Sequence, residues 1–256
     1  LGWIFGHWYG NNSPQRIKSY VNGTLLKDSL GLFLVKEHSV NYLESHDGYT
    51  LGDFIRIATK EVDPHKIIKD VDKHVRLTPL QEKINRLAAL FLFTSQGITM
   101  IHSGQEFARS KVIPYNISVK DTNKGRIDHN SYEKDNETNY INFNHAEINI
   151  GLFNYYKGLI DLRKNFDAFR KANYEDIIFY EHPNSKFGLS YLLNYKNQKF
   201  VVLFNADQNQ KLDFPLPEGI WEVLVDKDTA GIKTLYVTGG ILTLEPISGA
   251  VLKLKE

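Results

Sequence analysis

The sequence predicts an α/β segment followed by an all-β segment. Three observations carry that prediction. Helical and strand signals alternate as far as about Ala172. Beyond it, nearly every segment reads as a short strand bounded by turn residues. Both strand signals of the first part also run into polar and glycine residues, His46-Asp47-Gly48 and His102-Ser103-Gly104. Strands of parallel barrels end in this way at their functional face.

Residues 39–45 form a short, partly apolar run that reads as the first strand. Residues 59–76 are dense in charge and contain Asp63-Pro64, which predicts an exposed helical excursion. Leu80, Ile84, Leu87 and Phe91 then follow helical spacing, with Thr78 as N-cap and Pro79 in the first turn. Residues 97–102 read as a second buried strand. Residues 111–145 are rich in Asn, Asp, Ser, Tyr and Lys and have little periodicity; a loop of that length is usually functional or disordered. Leu152, Tyr155, Tyr156, Leu159 and Leu162 define a second amphipathic helix. The order strand, helix, strand, helix is the unit of a parallel α/β sheet.

After Asn173 the candidate strands are 177–181, 189–195, 200–204, 211–214, 221–225, 234–237, 241–244 and 251–255. Asn, Asp, Gly, Pro and Ser separate them. Short, evenly spaced strands with such turns predict an antiparallel β-sandwich. The expected domains are 1–172 and 173–256.

Composition narrows the function classes. At 256 residues and 42% hydrophobic, the chain is large enough for one big domain or two modest ones. With 31 basic against 30 acidic residues, nothing favours nucleic acid or an anionic membrane surface as a partner. No apolar run is long enough to span a bilayer. The opening Leu1-Gly-Trp-Ile has no initiator Met and no signal-peptide pattern, so the sequence reads as a fragment. Its compartment stays open between the cytoplasm and a secreted or periplasmic location in a bacterium. Zero Cys excludes disulfides and thiolate metal sites. Residues 121–125 start like a calcium loop, but Gly125 falls one place early, and His65 and His74 have no partner at ligand spacing. No metal or other cofactor is expected.

The decisive motif is Val40-Asn-Tyr-Leu-Glu-Ser-His-Asp-Gly-Tyr-Thr-Leu51. It resembles the strand-seven motif of α-amylase superfamily glycoside hydrolases in their pullulanase/isoamylase form. Gly104-Gln-Glu-Phe-Ala108 with Arg109-Ser-Lys111 resembles the strand-eight end of the debranching subgroup. His129-Asn-Ser-Tyr132 and Asn139-Tyr-Ile-Asn-Phe143 resemble its substrate-side loop. Glu245-Pro-Ile-Ser-Gly-Ala-Val-Leu-Lys-Leu254 resembles the closing strand of its C-terminal sandwich. These motifs occur in the family's order.

The resemblance implies the last portion of a TIM-type barrel, strands seven and eight with their helices, followed by the sandwich. It implies a retaining enzyme that hydrolyses α-1,6 branch linkages in pullulan, starch or glycogen. Such chemistry passes through an oxocarbenium-like state, with one carboxylate attacking and a second acid protonating the leaving oxygen. Asp47 would be a third carboxylate, stabilising the transition state through sugar hydroxyls, and His46 would bind the same ring. Glu106 would line the barrel mouth, as a hydrogen-bonding more than a catalytic residue. Asn130, Tyr132 and Asn142 would contact either glucose hydroxyls or their own loops. Tyr49 and Trp8 are weaker candidates, as sugar-stacking platforms, and Trp8 fits a core role better.

In the family the nucleophile Asp and the acid/base Glu precede the His-Asp motif by a long stretch. Only 46 residues precede Asp47, and none shows the expected Arg-x-Asp pattern. The chain is therefore expected to lack both groups, to be inactive alone, and to have the upstream part of the same enzyme and an α-glucan as partners. Two alternatives stay open: a non-catalytic carbohydrate-binding fragment, and part of an α-1,4-acting amylase or transglycosylase.

Overall fold

The computed structural model describes residues 2–5, 13–116 and 118–255. Trp8 lies outside the described residues. In chain order the elements are α1 (Pro14–Val21), β1 (Val40–Asn41), α2 (Leu51–Ala58), α3 (Val71–Val75), α4 (Pro79–Thr94), β2 (Ile98–Thr99), α5 (Asn144–Ile148), α6 (Ile150–Asn165) and α7 (Ala168–Lys171). Eight strands follow: β3 (Ile177–Glu181), β4 (Gly188–Tyr195), β5 (Gln198–Asn205), β6 (Leu212–Pro215), β7 (Trp221–Val225), β8 (Tyr236–Thr238), β9 (Ile241–Leu244) and β10 (Ser248–Leu254). Two compact units result, one of residues 1–41, 86–99 and 154–256, the other of 42–85 and 100–153.

In the first unit β1 and β2 pair in parallel, Val40 opposite Ile98 and Asn41 opposite Thr99. The two strands expected in the first segment thus meet, in the expected direction. Each is only two residues long. They form a two-stranded sheet, and a parallel pair without further neighbours is weakly held. The Asn41 amide donates to the Gln96 carbonyl at 2.6 Å and ties the pair down.

Strands β3–β10 fall within three residues of their expected positions. They form a six-stranded sheet in the order β3-β4-β5-β10-β7-β8, antiparallel throughout, and a separate antiparallel pair, β6-β9. One core joins side chains from both sheets: Val201 and Leu203, Leu212 and Phe214, Trp221 and Val223, Leu244, and Ala250 and Leu252. The opposite face of the large sheet is also covered. The Phe200 ring lies 5.0 Å from Phe166 and 4.8 Å from Phe169, and the Tyr191 hydroxyl donates to the Thr94 carbonyl at 3.1 Å. Burial on both faces explains why residues 200–204 are continuously apolar rather than alternating.

The second unit holds α2, α3 and α5. Helix α4 begins where Thr78 and Pro79 predict: the Thr78 hydroxyl accepts the Gln81 N–H at 3.4 Å, and its carbonyl accepts Glu82 N–H at 2.9 Å. The helical excursion expected over 59–76 is helical only in α3, at its end. Pro64 disfavours helical backbone at Asp63, and the helix restarts only where Asp70 accepts the Lys73 N–H. Helix α2 carries a Thr50-x-x-Asp53 start signal, with Thr50 as its N-cap. Among the described residues no helix is long and apolar enough to cross a membrane.

Phe200 is fully buried against two phenylalanines. Phe200→Ala is expected to cost about 3–5 kcal/mol in urea unfolding followed by far-UV circular dichroism. A loss below about 1 kcal/mol would contradict the packing of β5 on the helices.

Candidate functional site

The site is built within the second unit, on the residues between Glu44 and α2. Glu44 is 5% exposed. One of its oxygens accepts the Leu51 N–H, the first of α2, and the other lies 3.0 Å from His102 Nδ1. A carboxylate at a helix start meets both unpaired N–H groups and the positive end of the dipole. Thr50 is the N-cap: its hydroxyl accepts the Asp53 N–H at 3.0 Å and donates to the Arg109 carbonyl at 2.7 Å. The chain from 45 to 50 is thereby pinned at both ends.

Asp53 has no access to solvent. Its carboxylate accepts from Arg56 at 3.2 Å and from the Lys111 N–H at 2.9 Å, and lies 3.5 Å from His74 Nε2. Burial alone would raise the Asp53 carboxyl. The His74 hydrogen bond, the Arg56 charge and a Ser110 hydrogen bond outweigh burial and hold it below its ordinary value. Arg56 also donates to the carbonyls of Val75 and Ala108, at 2.7 and 2.8 Å. A Cβ at Gly52 would lie 2.7 Å from the Ala108 carbonyl oxygen, so only glycine lets α2 settle on this segment. Residues 104–111 thus serve as the bed of α2.

On this base stand His46 and Asp47. His46 Nε2 and an Asp47 carboxylate oxygen are 3.5 Å apart, with the side chains 69% and 65% exposed. The Ser45 hydroxyl accepts the Asp47 N–H at 3.3 Å. Gly48 follows with φ +70, a turn that glycine makes without strain. Tyr132 presents its ring edge-on to His46 at 6.0 Å, and its hydroxyl donates to Glu133 at 2.7 Å. That hydrogen bond, slight burial and the Asp47 charge raise the phenol above its ordinary value. The Tyr49 ring packs 6.1 Å from His129.

The other expected residues are held by their own loops. Glu106 turns its carboxylate back to the Gly104 N–H at 2.9 Å. The Asn142 amide lies 3.1 Å from His145 Nε2, and its oxygen accepts the Asn144 N–H at the start of α5. Asn130 is exposed, and its backbone N–H donates to Asp128. The structure therefore brings His46, Asp47 and Tyr132 together, whereas the polar groups of Glu106 and Asn142 meet partners in their own segments. Among the described residues no group of three metal-ligating side chains occurs. The cluster offers a carboxylate, an imidazole and a phenol to the outside, a set that accepts and donates hydrogen bonds to neighbouring hydroxyls.

No protein-family model matches the chain. A pullulanase of Bacillus subtilis is 32% identical over 220 residues, covering 80% of this chain and 26% of its own length. The chain belongs to the pullulanase-type debranching family. The pullulanase of Bacillus acidopullulyticus shares its fold, with a TM-score of 0.75 at 24% identity over 99% of this chain and 28% of its own. A pullulanase of Anoxybacillus sp. LM18-11 complexed with maltotetraose has a TM-score of 0.66 at 26% identity, over 93% of this chain and 30% of its own. This pullulanase-type chain spans about 20–30% of the length of the curated relatives that it matches over most of its own length.

Sequence reasoning missed Glu44, Thr50, Asp53, His102 and Lys111 as parts of the site. Thr50-x-x-Asp53 was legible as a capping signal just after the His-Asp pair. The partnership of Glu44 with His102 spans 58 residues and leaves no local signal.

Asp53→Asn is expected to cost this pullulanase-type chain about 3–5 kcal/mol near pH 7, because it strands Arg56 without its buried partner. A lowered carboxyl stabilises the fold above its unfolded value of 3.8 and loses that contribution as pH falls through the folded value. The gap between wild type and Asp53→Asn in urea unfolding should therefore narrow below about pH 4. A gap that is absent at pH 7, or constant in acid, would contradict the ion pair.

Proposed function

We propose that this chain is the part of a retaining α-glucan debranching enzyme that holds the sugar at an α-1,6 branch of pullulan, starch or glycogen. Asp47 stabilises the transition state through ring hydroxyls, with His46 binding the same ring. The observation that carries this reading is the exposed His46–Asp47 pair, fixed from behind by Glu44 and α2 and flanked by Tyr132. A group that acts on developing charge must be in place before the charge appears, and a pinned loop meets that need. Tyr132, Tyr49 and Asn130 supply further sugar contacts, and Glu106 and Asn142 reach the sugar only if they give up the partners in their own segments.

The parallel pair β1-β2 supports the reading of these strands as the seventh and eighth of a barrel. Val40 and Ile98 face each other in that pair and are 47% and 51% exposed, apolar surface that further barrel strands would cover. The antiparallel sheets β3–β10 are then the C-terminal sandwich. In this reading the nucleophile and the general acid come from preceding polypeptide of the same enzyme, and this chain alone does not turn over glucan.

The test combines pullulan hydrolysis with maltotetraose binding by calorimetry. The chain alone is expected to release no reducing ends above background. Asp47→Ala is expected to weaken maltotetraose binding roughly tenfold to a hundredfold, as loss of a charged hydrogen-bond partner does. Turnover by the chain alone, or an affinity unchanged by Asp47→Ala, would overturn the proposal.

A further inference from the structure

Lys111 is 1% exposed, and its ammonium donates to the backbone carbonyl of His46 at 2.9 Å. Its own N–H is bonded to the buried Asp53 carboxylate at 2.9 Å. One residue therefore links the Asp53 hub to the peptide unit that joins His46 to Asp47. A buried ammonium is costly, and an apolar side chain of similar length would fill the same space without that cost. Burial, with Arg109 nearby, pulls the Lys111 ammonium below its ordinary value, against the carboxylates of Glu44, Asp128 and Asp53. Packing alone does not account for a lysine here.

We propose that Lys111 is a positioning residue: by gripping the His46 carbonyl it fixes the peptide plane before Asp47 and so sets the direction of the Asp47 carboxylate. The loop needs such a grip. Between the pins at Glu44 and Thr50 the loop is further held by the neutral Ser45–Asp47 hydrogen bond at 3.3 Å, while Gly48 has no side chain to restrict its backbone. Charged donors make hydrogen bonds roughly twice as strong as neutral ones, which suits the task. Lys111 reaches the sugar only through Asp47. The inference rests on the proposed role of Asp47 for its functional meaning and on geometry alone for the grip itself.

The test uses the full chain and the variant Lys111→Met, which keeps length and removes the charge. Order parameters of the Asp47 and Gly48 N–H groups are measured by ¹⁵N relaxation. They are expected to fall from the rigid range of about 0.85 to below about 0.6. The urea midpoint should shift little, since the variant removes the desolvation cost of the ammonium together with one hydrogen bond. Maltotetraose binding should weaken roughly tenfold or more. If Lys111→Met does not fold, Lys111→Gln, too short to reach the carbonyl, gives the same reading. Order parameters that stay in the rigid range in the folded variant would overturn the proposal. If the wild type binds no maltotetraose while the loop still loosens in the variant, the grip stands and the sugar-binding role of Asp47 fails.

Discussion

The carboxylate of Asp53 has no water to solvate it, so its charge must be met inside the protein. It is met by the Arg56 guanidinium, the Lys111 backbone N–H and the His74 ring. These partners come from α2, from the segment after β2 and from α3, so one buried charge fixes three separate stretches of chain. The hydroxyl of Thr50 and the carboxylate of Glu44 then pin the start of α2. The His46–Asp47 loop inherits its place from that framework. Without the internal ion pair, the exposed carboxylate of Asp47 would sit on an unsupported surface turn.

This framework gives a physical meaning to Gly104-Gln-Glu-Phe-Ala-Arg-Ser-Lys111. The carbonyls of Ala108 and Arg109 accept from Arg56 and Thr50, Ser110 meets His74, and Lys111 meets both Asp53 and His46. The segment supports the loop from behind. Glu106, expected at the mouth of the site, spends its carboxylate on Gly104 and helps to hold the 3-10 turn Gln105–Phe107.

Much of the architecture was legible because its signals are local. The strands β3, β7 and β9 have the bounds that their β-branched and aromatic runs predict, and α4 starts at its Thr-Pro signal. The parallel pairing of β1 with β2 followed from strand, helix, strand order, but its length of two residues did not, since ladder length depends on neighbouring strands and the pair has none among the described residues. His46 and Asp47 were visible through their motif, and Tyr132 through its loop. The support beneath them was not. Glu44–His102, Thr50–Arg109 and Lys111–His46 lie 58 to 65 residues apart, and buried polar partners at such distances leave no periodic trace.

The central claim is that a glucan seats on the His46–Asp47 pair. A titration of the isotope-labelled chain with maltotetraose, followed in two-dimensional NMR spectra, tests it most directly. The account predicts saturable shifts that share one dissociation constant at the His46 ring, the Asp47 amide and the Tyr132 ring, while the signals of β3–β10 stay in place. Shifts confined to the antiparallel sheets, with the His46 and Asp47 signals unmoved, would contradict it.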